Sequence, residues 1–139
     1  MGQINIGRVL LGGLLAGVIV NVGETILNVA VAGPAMAAAL AARNLPPVGG
    51  PAIGGFVLIT FLVGIMTVWL YAAIRPRFGP GPSTAVIAAL VVWFFGYLHQ
   101  SVAMVLMGIL PAKVTVLGTV WGLVEIVVAS IAGAWVYTE

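Results

Sequence analysis

The stretch Ile6 to Ala32, IGRVLLGGLLAGVIVNVGETILNVAVA, reads as a helix long enough to cross a lipid bilayer, yet it carries Glu24 between Asn21 and Asn28. An apolar run of this length spans the roughly 30 Å hydrocarbon layer as an α-helix. Three further stretches repeat it: Ile53 to Ile74, Thr84 to Leu110 and Val114 to Tyr137. With 63% of its 139 residues apolar and 6% charged, the chain leaves no segment from which to build a soluble domain. The expected fold is an all-α integral membrane protein: residues 1–139 form a single four-span domain, an antiparallel bundle with short loops.

The connections support this reading. Gly33-Pro34 ends the first span, and the alanine-rich segment 35–43 is expected to form a short interfacial helix before Pro46-Pro47-Val48-Gly49-Gly50-Pro51 turns the chain back. The second connection, Arg75 to Pro82, is stiffened by proline, with Ser83 or Thr84 expected to cap the next helix. The third, around Pro111, is so short that spans three and four must be antiparallel neighbours. An even number of spans puts both termini on one side. That side holds Arg8, Arg75 and Arg77, and the other Arg43 and Lys113, so the termini are expected to be cytoplasmic. Trp69, Tyr71, Trp135 and Tyr137 fall near the same face, where interfacial anchors are expected.

Several classes of function find no support. A formal charge of +2 spread over loops and spans is no basic patch, so nucleic acid is not an expected partner. The absence of cysteine excludes disulfides, thiolate chemistry and iron-sulfur ligation. Arg8 and Ala30-Val31-Ala32 loosely imitate a signal peptide, but the apolar run is too long and Glu24 interrupts it. Met1-Gly2 resembles the start of an acylation signal, with Ile6 where Ser or Thr belongs. There is no nucleophile elbow, phosphate loop or catalytic triad, and nothing points to an enzyme.

The polar residues fall on helical stripes, since positions three or four apart share a face. The first span carries Gly13, Gly17, Asn21, Glu24 and Asn28, and the fourth Gly118, Gly122, Glu125, Ala129 and Gly133. The second carries Thr60, Gly64, Thr67 and Tyr71. The third carries Gly96, His99 and Ala103, with Gln100 beside His99. Counting rise per residue places Glu24, His99 and Glu125 roughly 12 to 16 Å from one membrane face, and Thr60 about 10 Å from it. An ionised carboxylate near the bilayer centre costs about 2.5 to 3.5 kcal/mol on insertion scales, so two of them at one depth are expected to face inward and share a proton or a partner.

The expected function is therefore transport or conduction of a proton, cation or small solute, with Glu24, Glu125 and His99 as the proton or cation site. Asn21, Asn28, Gln100 and Thr60 are the supporting polar groups. Gly13, Gly17, Gly64, Gly118 and Gly122 are expected to let helices approach closely, within the bundle or between subunits of a homo-oligomer. One histidine without HxxxH or ExxH spacing does not make a dedicated metal site. The alternative is a noncatalytic subunit of a larger membrane complex, with His99 as an axial ligand to a haem or pigment; no cofactor follows from the residues themselves. A short four-span chain with a glutamate in its first helix resembles, in outline, the small multidrug resistance transporters. The resemblance implies that Glu24 corresponds to the glutamate at which protons and cationic drugs compete. This chain is longer, and adds Glu125 and His99.

Overall fold

The computed structural model describes residues 3–138; Met1-Gly2, read above as an incomplete acylation signal, and Glu139 lie outside the described residues. In order, the helices are α1 (Ile6–Ile26), α2 (Gly33–Ala41), α3 (Gly50–Phe78), α4 (Pro82–Trp93), α5 (His99–Leu106) and α6 (Ala112–Val136). A π-helical turn, Leu27–Val31, extends α1, and another, Phe94–Leu98, joins α4 to α5; there is no strand among the described residues. These segments compose four helices long and apolar enough to cross a membrane: Ile6–Val31, Gly50–Phe78, Pro82–Leu106 and Ala112–Val136.

The ends follow local chemistry, with some shifts from expectation. The second long helix begins at Gly50, with Pro51 in its first turn where a missing N–H removes no helical bond. It continues through Pro76 to stop at Gly79, whose φ of +85° leaves the helical region. The third begins at Pro82 with Gly81 as its N-cap. Neither Ser83 nor Thr84 caps it; the Thr84 hydroxyl instead donates to the Gly79 carbonyl at 2.6 Å. That helix stops at Leu106, before the expected Leu110, because the chain turns at Gly108 with φ of +67°.

Around the bundle, α1 packs between α3 and α6, while α4 packs on α6 and α3. The close contacts lie at one end, where glycines remove the side chains that would hold backbones apart. A Cβ on Gly64 would collide with the Gly13 carbonyl oxygen and the Gly17 backbone, and one on Gly12 with the Gly133 carbonyl. Around these crossings Val9, Ala16, Val20, Val68, Ala85, Ala88, Ile126 and Ala129 form the buried core. The chain ends meet here: the Asn5 N–H donates to the Tyr137 hydroxyl at 3.3 Å, and the Gly81 N–H to the Tyr71 hydroxyl at 3.2 Å. The Tyr71 and Tyr137 rings meet edge to face at 6.0 Å, with Arg75 over Tyr137. Both tyrosines are thus part of the packed interior, whereas Trp69 and Trp135 are exposed on the outer surface.

At the other end the helices separate. The segment Phe94–Leu106 buries no residue, and α3 has none before Gly64. Most of the apolar side chains here point outward, among them Phe56, Leu58, Phe95, Val102 and Leu106. Gly118 has no atom within 4 Å of an added Cβ and so does not mark a close approach of helices.

This asymmetry among the glycines is measurable. Gly64→Ala should destabilise the protein by about 1–3 kcal/mol, since the added carbon meets backbone that cannot rotate away. Gly118→Ala, in open space, should be neutral or stabilising by up to about 1 kcal/mol. Thermal unfolding of the two variants in the same detergent checks both.

Candidate functional site

Glu125 lies on the inner face of α6, 6% exposed, one turn beyond Gly122. A buried carboxyl group needs a partner for each oxygen. Oε1 accepts a hydrogen bond from the Tyr97 hydroxyl at 3.0 Å. Oε2 is buried against the backbone of Gly23 on α1 and has no hydrogen-bond donor among the described residues. The next residue on α1 is Glu24, so the two carboxyl groups are neighbours at the α1–α6 crossing, close enough to interact electrostatically. Trp121 fixes the crossing by donating its Nε1–H to the Gly23 carbonyl at 3.1 Å.

Tyr97 is a part of this site that the polar stripes do not reveal. It comes from the π-helical turn Phe94–Leu98, and its ring covers Gly122 so closely that a Cβ there would overlap it. His99 is only two residues on, but positions two apart in a helix face nearly opposite directions, and a wide turn shifts the phase of everything after it. His99 is accordingly exposed; Gln100, three residues after Tyr97, is exposed as well, and neither lines the cavity beside Glu24. No group of three or more histidine, aspartate or glutamate side chains gathers among the described residues. A hydroxyl-bearing aromatic in mid-span, at the depth of a glycine on the neighbouring helix, was the available signal for Tyr97.

Around Glu24 the asparagines divide their tasks. Asn28 donates its Nδ2–H to Glu24 Oε2 at 2.9 Å and to the Glu24 carbonyl at 2.8 Å. Asn21 donates instead to the Gly17 carbonyl at 2.9 Å and to Val57 O at 3.5 Å. Both amide nitrogens are thereby committed within the chain, so the polar groups they leave are oxygens. Asn21, Glu24, Asn28 and Thr60 line one cavity of about 650 Å³ between the first two long helices. Its apolar walls include Phe56 and Val57, and α2 contributes Met36, Ala37 and Leu40. Arg43, just after α2, donates to the Ala39 carbonyl at 3.0 Å and to the Gly108 carbonyl, tying this segment to the turn before α6.

A second cavity, about 430 Å³, lies between α5 and α6 and is almost wholly apolar. Its hydroxyls are satisfied, Thr119 Oγ1 lying 2.7 Å from both the Thr115 carbonyl and Ser101 Oγ, and Trp93 Nε1 donates to the Thr119 carbonyl. It offers no charged group. The predicted packing glycines are spread across both regions: Gly13, Gly17 and Gly64 sit at the tight crossing, Gly122 lies beneath Tyr97, and Gly118 has open space where a Cβ would stand.

The tether at Arg43 predicts a local effect. Arg43→Gln should speed amide hydrogen exchange in α2 severalfold while the melting temperature stays within about 2 °C, because surface contacts outside the core contribute little to global stability. No protein-family model matches the chain, and no curated protein or solved structure matches it.

Proposed function

We propose that the chain is a multi-pass membrane protein that binds a proton and a cation at the Glu24–Glu125 pair and moves them across the bilayer. Four long apolar helices and an outer surface rich in Leu, Val, Ile and Phe support the membrane placement. The positive-inside rule puts the end bearing Arg8, Arg75 and Arg77 in the cytoplasm. The observation that carries the transport reading is the pair itself: a buried carboxyl group with an unpartnered oxygen, facing a second carboxyl group that lines a 650 Å³ cavity.

The chemistry favours a cationic or hydrogen-bond-donating ligand. Glu24 and the amide oxygens of Asn21 and Asn28 are acceptors, and the nearest donors are already spent on backbone carbonyls and on Glu24. Access is from one side, since the tight glycine crossings and the Val20 and Ile126 side chains fill the bundle beyond the pair. This corresponds to a state open to one face, as alternating access requires, and not to a continuous pore. Thr60 forms part of the cavity wall and serves as a polar contact.

A second reading rests on a different observation. His99 and Gln100 are exposed on a stretch of helix that buries nothing, which suits a subunit that packs on a larger complex or offers His99 to a haem or pigment.

In proteoliposomes, Glu24→Gln and Glu125→Gln should each reduce proton-linked cation flux at least tenfold with the folded protein intact; flux that persists in the double variant removes the transport assignment. The visible absorption spectrum of protein purified from its native membrane separates the second reading. The transport reading expects no band, whereas a band lost in His99→Leu establishes the cofactor.

A further inference from the structure

The hydrogen bonds around the carboxyl pair are directional, and they distribute one proton between two residues. Glu125 Oε1 accepts from the Tyr97 hydroxyl, and Glu24 Oε2 accepts from Asn28. Glu125 Oε2, buried against Gly23, has no donor among the described residues. Two ionised carboxylates would face one another with no hydrogen between them, and Oε2 would be a buried, unanswered charge. A single proton between the carboxyl groups completes the set.

Burial decides which residue holds it. Glu125 is 6% exposed and is enclosed by α1, α6 and the Tyr97 ring, whereas Glu24 is half-buried and forms part of the cavity wall. Charge belongs where water or a counter-ion can reach it. The ionisable groups of the other elements do not alter this. Tyr97 is the one offered by the third long helix, His99 is turned outward, and α3 carries Tyr71, Arg75 and Arg77 at the far end.

We propose that the site is divided: Glu125 holds the proton on Oε2 and donates it to Glu24, which carries the negative charge toward the cavity, with Tyr97 positioning Glu125 through Oε1. The assignment extends the transport reading by giving the two carboxyl groups different tasks. Glu24 is the cation-binding group, and Glu125 is the proton store behind it. The proton balance is one acid, one carboxylate and a net charge of −1, neutralised when a monovalent cation reaches Glu24. Tyr97 touches no ligand; it fixes the Glu125 rotamer, and Gly122 makes room for its ring.

Infrared spectroscopy of the purified protein in dodecyl maltoside, a detergent that has no carbonyl group, tests this without any flux measurement. The chain has three acidic side chains, so a Glu139→Gln background leaves only the pair and the terminal carboxylate to absorb. At neutral pH one carboxylic-acid C=O band is expected. Glu125→Gln should abolish it, and Tyr97→Phe, which keeps the ring over Gly122, should move it to higher wavenumber because the carbonyl loses its donor. Asn28→Leu should leave it in place. A band that survives Glu125→Gln unchanged, or that shifts with Asn28→Leu and not with Tyr97→Phe, puts the proton on Glu24 and overturns the assignment. Absence of any such band in the parent protein overturns it as well. Size-exclusion profiles and circular dichroism establish that each variant is folded. A normal spectrum in a protein that fails to transport removes the transport reading and leaves the proton assignment standing.

Discussion

Backbone contact at glycine organises the molecule. Gly13 and Gly17 against Gly64, and Gly12 against Gly133, bring α1 to within direct contact of α3 and α6, and these approaches exist because no Cβ intervenes. In lipid, where apolar side chains gain little by leaving one apolar environment for another, such contact surfaces supply much of the attraction between helices. They also set the shape. Further along, Phe61 lies over Gly17 and Tyr97 over Gly122, so that aromatic rings occupy the space that glycines provide, and beyond them the helices part.

The candidate site sits at the boundary between the closed and the open halves. Just inside it, the fully buried Val20 and Ile126 fill the interior; just outside it, Asn21, Glu24 and Asn28 face a cavity. Glu125 and Glu24 therefore meet where the environment changes over a single helical turn. A carboxyl group on the closed side has few neighbours with which to share its charge, and one on the open side can be reached by ligand or water. Under the function proposed above, this difference of environment is what gives two identical side chains separate parts.

Both π-helical turns flank this boundary. One follows Glu24, beginning at Leu27, and the other carries Tyr97. Each places an extra residue in its turn, which rotates the side chains beyond it relative to an ordinary helix, and such turns recur at functional sites in proteins. In the third long helix the consequence is direct. Tyr97 faces Glu125 while His99 and Gln100 are exposed, and the polar character of that helix is split between its inner and outer surfaces.

How much of this was legible in the sequence depends on the range of the interaction concerned. Length and hydropathy determined four long apolar helices, because each needs only its own residues to satisfy its backbone, and the turns at Gly33-Pro34, Gly79 to Pro82 and Pro111 followed from local backbone limits. That Glu24 and Glu125 lie at one level of the bundle, and the bond from Asn28 to Glu24 one turn away, also followed from counting along single helices. Rotation of one helix against another was a different matter. Whether Tyr97 or His99 faces inward, which glycines mark a close approach and which, like Gly118, do not, and that Tyr71 and Tyr137 close the bundle instead of anchoring its surface were decided by tertiary contact. The physical reason is that a polar side chain displays its depth through its position in the sequence, whereas its direction depends on the phase of a helix that wide turns reset and neighbouring backbones hold in place.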